Sequence, residues 1–425
     1  MSRMGQGPMG GDPARRLALR VLARLERAPG RASQSVLREV LDGPDAKLVD
    51  DRDRGLATEL VYGVLRFRLR LDAVLGRIVS RELPDDPEVL NLLRLGAYQL
   101  LLLDRIPPHA AVHATVEAAR GVRGESQAKF VNGVLRNLDR QRPEPASLAE
   151  KYAHPEWMVE RLRAELGSDD LVEARLAANV KPAPVALRLK RGVTVEDVPG
   201  GRASSVAGVV FAEGHESRPI RDGTARGRWI PQDPASARVV ERLEVTPGAS
   251  VLELCAGRGV KSSQIVEEGG ILTALDLSPQ KLAAARRLVT RWAPAGEAAL
   301  FVAADATVPL PFDPAIRFDR VLVDAPCTGL GVIRRRPETL WRRKPEDITT
   351  LAAMQKAIVL EASRWVSPGG RLVYSVCTTT PEETTEVVDL LMANSEGRFE
   401  LVETHLTAPE RDEMDGFYIA VFTAK

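Results

Sequence analysis

The chain has 425 residues, 44% hydrophobic and 28% charged, with a formal net charge of +1; this is the balance of a globular protein of two or three domains and excludes a low-complexity or highly charged polymer. Its three cysteines are odd in number and form no CxxC pair, which argues against a disulfide framework or a zinc site and for reduced thiols in a cytoplasmic protein. The opening stretch MSRMGQGPMGGDPARR has no apolar segment of signal-peptide type, and no run approaches the ~18 apolar residues of a membrane span, so neither is expected.

From Pro13 to about Asp139, after roughly ten loose residues, every clear signal is helical. ARRLALRVLARLERA spaces Leu17, Val21 and Leu25 four apart on one face, Gly30 reads as a stop, and Ser33 reads as an N-cap for the next helix. LATELVYGVL, PEVLNLLRLGAYQLLLL, AAVHATVEAAR and SQAKFVNGVLRNL continue the pattern without a strand signal. Residues 1–140 are therefore expected as an all-α bundle. They carry 23 Lys and Arg against 18 Asp and Glu, and the remainder carries 36 against 40; the bias points to an anionic partner for the N-terminal part, although solvated helix faces produce such a bias too.

A proline-bearing linker, Gln141–Trp157, leads into the helix EWMVERLRAELG and then into short alternating segments that end near RWIPQDPASA. Residues 141–240 are expected as a linker and small α+β subdomain. From Val245 the pattern changes. VLEL, ILTAL, LFVA, DRVLVD and RLVYSV alternate with helical stretches, a βαβ rhythm that predicts an α/β domain over 241–425 with a parallel sheet covered on both faces. FELVETHL and GFYIAVFTA are expected as an antiparallel pair at its edge.

Ligands of such a sheet sit outside the carboxyl ends of its strands. Cys255 ends VLEL, Cys327 follows VLVD in DAPCTG, and Cys377 ends LVYSV, so all three cysteines are expected at one rim. A buried free cysteine is ordinarily a small hydrophobe; three at three strand ends point instead to a shared site. The loop Cys255, Ala256, Gly257, Arg258, Gly259, Val260 and Lys261 joins a strand to a helix. It lacks the third glycine of a dinucleotide fingerprint, which would fall on Ser262, and the glycines of a Walker A loop. Asp276 ends the next strand, where an acid suits the hydroxyls of a ribose, and Asp305 ends the one after. Strand-end aspartates also serve as helix caps, and Asp276 before Ser278 and Pro279 fits that role in part. Together the loop and two acids form the pattern of an adenosine-binding methyltransferase.

DAPCTGLGVIRRRPE together with YSVCTTTPEE resembles the paired signature motifs of the RNA cytosine methyltransferases, which make 5-methylcytosine with S-adenosylmethionine. LVYGVLRFRLRLD, RIPPHAAVHATVEAAR, FVNGVLRNL, HPEWMVERL and QDPASA resemble the bacterial small-subunit (16S) ribosomal RNA members of the RsmB/Sun type, which carry a NusB-like N-terminal domain. The resemblance implies a Rossmann-like class I methyltransferase sheet preceded by an all-α NusB-like domain and a small α+β subdomain. It implies S-adenosylmethionine as cofactor and small-subunit ribosomal RNA, free or partly assembled, as partner, with no metal and no membrane. The family loop usually reads CAAPGGKT, where this chain has CAGRGVKS.

Carbon 5 of cytosine is a poor nucleophile, and a thiolate adding to carbon 6 makes it enamine-like. A free thiol with a pKa near ~8.5 must be activated to do this. Asp324, three residues before Cys327, is the candidate to stabilise charge on the base through ring nitrogen 3, and it also borders the cofactor site. Spacing alone leaves the attacking cysteine open. The Pro-Cys of DNA cytosine methyltransferases would favour Cys327, whereas the RNA family resemblance implies Cys377 as nucleophile and Cys327 in product release. Arg334, Arg335, Arg336, Arg342 and Arg343 flank Trp341, a basic and aromatic stretch suited to phosphates and an unpaired base, or a solvated basic loop. Two rivals remain: a nicotinamide dehydrogenase, opposed by the missing glycine, and a non-catalytic RNA-binding or ribosome-assembly factor on the same scaffold. The altered loop favours the second; the intact Cys327, Cys377 and Asp324 oppose it.

Overall fold

The structure, a computed structural model, describes residues 12–28, 30–46, 49–80, 82–212, 218–292 and 299–425. The loose stretch expected before Pro13 lies outside them. Up to Lys181 the described residues are helical: α1 (Pro13–Arg27), α2 (Ser33–Leu41), α3 (Asp51–Ile78), α4 (Pro87–Leu102), α5 (Pro108–Arg123) and α6 (Glu125–Gln141) form a bundle over one apolar core. Local chemistry sets the helix starts. Asp12, Asp50 and Asp86 each accept a backbone N–H in the first turn they precede, and Pro13 and Pro87 stand where a missing N–H costs nothing. Ser33 is the first helical residue of α2 rather than its cap. Its amide and hydroxyl donate to the Glu338 carboxylate, at 3.2 and 2.8 Å, so a distant acid satisfies the helix N-terminus.

The bundle continues beyond residue 140. Helices α7 (Leu148–Lys151), α8 (Glu156–Leu166) and α9 (Asp169–Asn179) bury Ala149, Val159, Val172 and Leu176 together. The compact helical unit runs through Lys181 and regains the chain at Ile333–Arg342. Within this unit the Arg77–Glu150 ion pair and the Arg70 bond to the Lys151 carbonyl tie α7 to α3. Beneath this layer His154 is buried, with Nδ1 against the Tyr152 carbonyl at 2.7 Å and Nε2 against Asn179 Nδ2 at 3.1 Å, a pairing that suits the neutral ring. Burial pushes its pKa down to about 4 from 6.5. The unfolded chain then binds the extra proton first, so this contribution is complete above pH ~6.5 and is lost as pH falls towards 4, about 3 kcal/mol in all. Urea unfolding should show a shallower loss of stability between pH 6.5 and 4 in His154→Gln than in the wild type; equal slopes would remove His154 from the acid response.

The second unit begins at Pro182. Strands β1 (Val185–Leu189), β2 (Arg202–Ala203) and β3 (Val209–Ala212), then α10 (Arg218–Ala225) and β4 (Trp229–Pro231), form a small antiparallel sheet in the order β2-β3-β1-β4. Arg188 fastens this sheet to the rest of its unit. Its guanidinium donates to Gln232 at 2.8 Å and to Ser263 Oγ at 2.6 Å and lies 4.3 Å from the Trp292 ring centroid. Helix α11 (Pro234–Leu243) starts at Asp233, which accepts from Ala235 N.

The chain then lays down β5 (Ser250–Leu254), α12 (Val260–Glu267), β6 (Ile271–Asp276), α13 (Pro279–Trp292), β7 (Leu300–Ala303) and β8 (Phe318–Asp324). A short helix, α14 (Thr339–Arg342), belongs to the helical unit, and α15 (Pro345–Ser363), β9 (Val366–Val376), α16 (Thr385–Asn394), β10 (Phe399–Leu406) and β11 (Tyr418–Ala424) complete the chain. The seven-stranded sheet has the order β10-β11-β9-β8-β5-β6-β7, parallel from β9 through β7, with β11 antiparallel between β9 and β10. After β5 the chain builds outward through β6 and β7 and returns to β8 on the other side, so the switch point lies between β5 and β8. Register pairs Leu254 with both Leu275 and Val323, and Asp324 with Ser375. The carboxyl ends of four strands thus meet at one rim. No helix among the described residues is long and apolar enough to cross a membrane.

Candidate active site

The loop after β5 turns through left-handed backbone at Cys255 (φ 60°), Gly257 (φ 60°) and Gly259 (φ 83°) before α12 begins. Gly259 packs on α13 so closely that a Cβ would lie 2.7 Å from Ala285 Cα, which forbids any side chain there. Gly257 faces open space instead: an added Cβ would have only the Cys255 carbonyl within 4 Å, at 3.9 Å. Asp276 sits beside this opening, accepting from Gly257 N at 2.9 Å and Ser278 N at 2.8 Å, so it serves both as turn cap and as rim acid. A carboxylate accepts up to about four hydrogen bonds, which leaves Asp276 capacity for ribose hydroxyls, and Leu277 next to it exposes 71% of its surface. An open glycine backbone, an acceptor-only acid and an exposed aliphatic side chain fit an adenosine-bearing cofactor.

The other loop residues divide by placement. Arg258 is exposed, Ala256 is buried, and Lys261 turns inward, its Nζ 2.7 Å from Asp324 Oδ2. Below the loop, Glu253 is buried and accepts from Ser262 Oγ; burial raises its pKa to about 8, so it is held protonated at neutral pH. Asp305 is exposed and accepts from Thr307 N at 2.8 Å and Thr307 Oγ1 at 2.7 Å, which hold its pKa below the usual carboxylate value.

The three cysteines are not equivalent. Burial, then Asp276 and Asp324, push the Cys255 thiol up to about 12, so it remains a protonated wall of the loop. Cys327 and Cys377 lie with their sulfurs 3.1 Å apart, free thiols in hydrogen-bond contact across 50 residues of sequence. The contact with Cys377 and burial hold the Cys327 thiol well above its ordinary pKa. Asp324 is anchored on both oxygens, by Lys261 and by Ser375 Oγ at 3.0 Å.

Arg343 is engaged within its own unit. Its guanidinium donates to the carbonyls of Thr328 at 2.8 Å and Cys327 at 3.1 Å, clamping the reactive loop. Trp341 is likewise engaged: it packs on the helical core with its indole N–H towards the Leu65 carbonyl, and the Arg68 and Arg342 guanidiniums lie 4.4 and 4.9 Å from its ring centroid. Arg334 is buried, Arg342 donates to the Arg31 carbonyl, Arg335 is half-buried and Arg336 is exposed. Ser375, which no sequence signal singled out, holds Asp324 through its hydroxyl.

Residues 12–140 match the NusB family and residues 240–423 match the 16S rRNA methyltransferase RsmB/F family. Ribosomal RNA small subunit methyltransferase B of Vibrio vulnificus is 31% identical over 92% of this chain and 98% of its own length. The enzyme of the same description from Pseudomonas putida is 32% identical over 88% and 91%. This chain belongs to the RsmB/F family. It is an S-adenosylmethionine-dependent ribosomal RNA methyltransferase. The fold agrees over its full length with the crystal structure of PH0851, at a TM-score of 0.81 and 22% identity over 99% of this chain and 100% of that one. A methyltransferase homolog protein from Pyrococcus horikoshii matches 65% of this chain and 98% of its own, with a TM-score of 0.56 and 20% identity. Both cysteine motifs lie inside the residues that match the RsmB/F family, 240–423.

Proposed function

We propose that this RsmB/F-family enzyme methylates carbon 5 of a cytosine in small-subunit ribosomal RNA, in the cytoplasm, through a covalent bond between Cys377 and carbon 6. The observation that carries the reading is the thiol pair. The two sulfurs lie 3.1 Å apart, close enough to pass a proton between them, and the likeness of YSVCTTTPEE to the RNA-family motif assigns the attack to Cys377.

The Cys255–Lys261 loop, Asp276 and Asp305 would hold the cofactor, which would supply an electrophilic methyl group. Cys377 adds to carbon 6 and makes carbon 5 nucleophilic. Asp324, anchored by Lys261 and Ser375, takes a hydrogen bond from ring nitrogen 3, which gains a proton from solvent as the thiolate adds and returns it when the carbon–sulfur bond breaks. Cys327, once its partner has become a thioether, loses its proton to solvent and takes the one from carbon 5. The carbon–sulfur bond then breaks and Cys377 leaves as thiolate, which restores the pair. One proton is released per turnover.

The target base must leave its stack to reach these groups, so an unpaired cytosine is the expected substrate. Exposed Arg336, half-buried Arg335 and the basic helical unit are assigned to the phosphates. Bisulfite sequencing of small-subunit RNA from a strain lacking the gene tests the reading: one protected cytosine should become convertible. Unchanged protection throughout would exclude it.

A further inference from the structure

We propose that Glu383 is the positioning residue that holds the Cys327 and Cys377 loops at thiol contact. Its side chain is fully buried, and its carboxylate accepts from four donors. Oε1 accepts from Thr328 N at 2.8 Å and Gln355 Nε2 at 2.9 Å; Oε2 accepts from Thr328 Oγ1 and from Thr380 Oγ1 at 2.9 Å. Thr328 follows Cys327 directly, and Thr380 lies three residues beyond Cys377, so one carboxylate grips both cysteine loops. Thr328 Oγ1 also lies 3.1 Å from Thr378 Oγ1, next to Cys377. Gln355 carries the connection further by donating to the Pro326 carbonyl at 2.9 Å, and Tyr374 donates to the Glu383 carbonyl at 2.7 Å.

The chemistry asks for a carboxylate. A buried charge is tolerated where donors surround it, and an acceptor-only group suits four donors, whereas an amide would turn an N–H towards two hydroxyls. None of the four donors to the Glu383 carboxylate belongs to the Cys255–Lys261 loop. The charged and titratable groups around the pair are Glu383, the Tyr374 phenol and the Arg343 guanidinium on the loop carbonyls. This inference rests on the reading of Cys377 and Cys327 as the reacting pair.

The test measures sulfur proximity without RNA. Diamide oxidises two neighbouring thiols to a disulfide, taking up their two protons and two electrons, and peptide mapping reads the Cys327–Cys377 bond. Displacing a reacting atom by roughly 1 Å costs about 10²-fold in rate. Glu383→Ala should slow cross-linking by about that factor, and Glu383→Gln, which keeps the volume, by about 10-fold. The kcat for methylation should fall in the same order while cofactor affinity stays at the wild-type value, a split that general loosening would not produce. Should the alanine variant not fold, the glutamine variant decides. Wild-type cross-linking and kcat in folded Glu383→Gln would overturn the proposal. Slowed cross-linking in an enzyme that makes no 5-methylcytosine would leave the positioning role standing and refute the proposed reaction instead.

Discussion

Cys377→Ala is expected to abolish methyl transfer, by at least about 10⁴-fold, the scale on which loss of a nucleophile acts, while Cys327→Ala is expected to accumulate a covalent protein–RNA conjugate. The sulfurs are 3.1 Å apart and both lie at the carboxyl rim, so position alone does not separate them. The motifs do: YSVCTTTPEE, with Cys377, resembles the nucleophile's motif of the RNA family, and DAPCTG, with Cys327, its product-release motif. Without Cys377 there is no sulfur free to add to carbon 6, and no conjugate can form. Without Cys327 the addition and the methylation proceed, but the carbon 5 proton has no base and the adduct persists. Alanine removes one sulfur in either case, so the packing costs are similar and do not mimic this difference. A denaturing gel of each variant with RNA and cofactor should show a slow band for Cys327→Ala alone. A slow band for Cys377→Ala would exchange the two roles.

The second large effect is expected from Gly331→Ala. A Cβ there would lie 2.0 Å from the Gly416 carbonyl oxygen and 2.7 Å from its carbon, a collision with backbone that no rotamer relieves. The same residue donates its N–H to the Cys377 carbonyl at 3.0 Å and accepts from Gly416 N at 2.8 Å. Separating the segments at this contact breaks both bonds and moves the Cys377 loop. Overpacking of this kind costs about 1–3 kcal/mol or more, and a roughly 1 Å shift of the thiol would add about 10²-fold in rate. The melting temperature should fall and kcat should drop further than the lost stability explains. A variant with wild-type melting and turnover would show that the two glycines separate without cost.

The strands were legible in the sequence because each is a short apolar run ended by a chemically distinct residue: Leu254 before Cys255, Asp276, Asp324, and Val376 before Cys377. Alternation with helical stretches then dictated a parallel sheet, and the edge pair β10 and β11 followed from the terminal apolar runs. The placement of Ser33, Trp341 and Arg343 was not legible. Each looks available in sequence, and each is claimed by a partner far along the chain, Glu338 for Ser33, Leu65 and Arg68 for Trp341, and the Cys327 and Thr328 carbonyls for Arg343. Glu383 escaped notice for the same reason, since its donors come from Thr328 and Gln355 as well as from its own loop. The attachment of α7 to α3 through the Arg77–Glu150 ion pair is likewise announced by no local pattern.

The most direct test of the central claim is a trap at carbon 5. Small-subunit RNA carrying 5-fluorocytidine can accept the thiol and the methyl group, but fluorine cannot leave as a proton does, so the adduct cannot resolve. After digestion of the trapped complex, mass spectrometry should find one modified peptide, bearing the base on Cys377 with a methyl group at carbon 5. A conjugate attached through Cys327, or methylated RNA with no conjugate at all, would contradict the account.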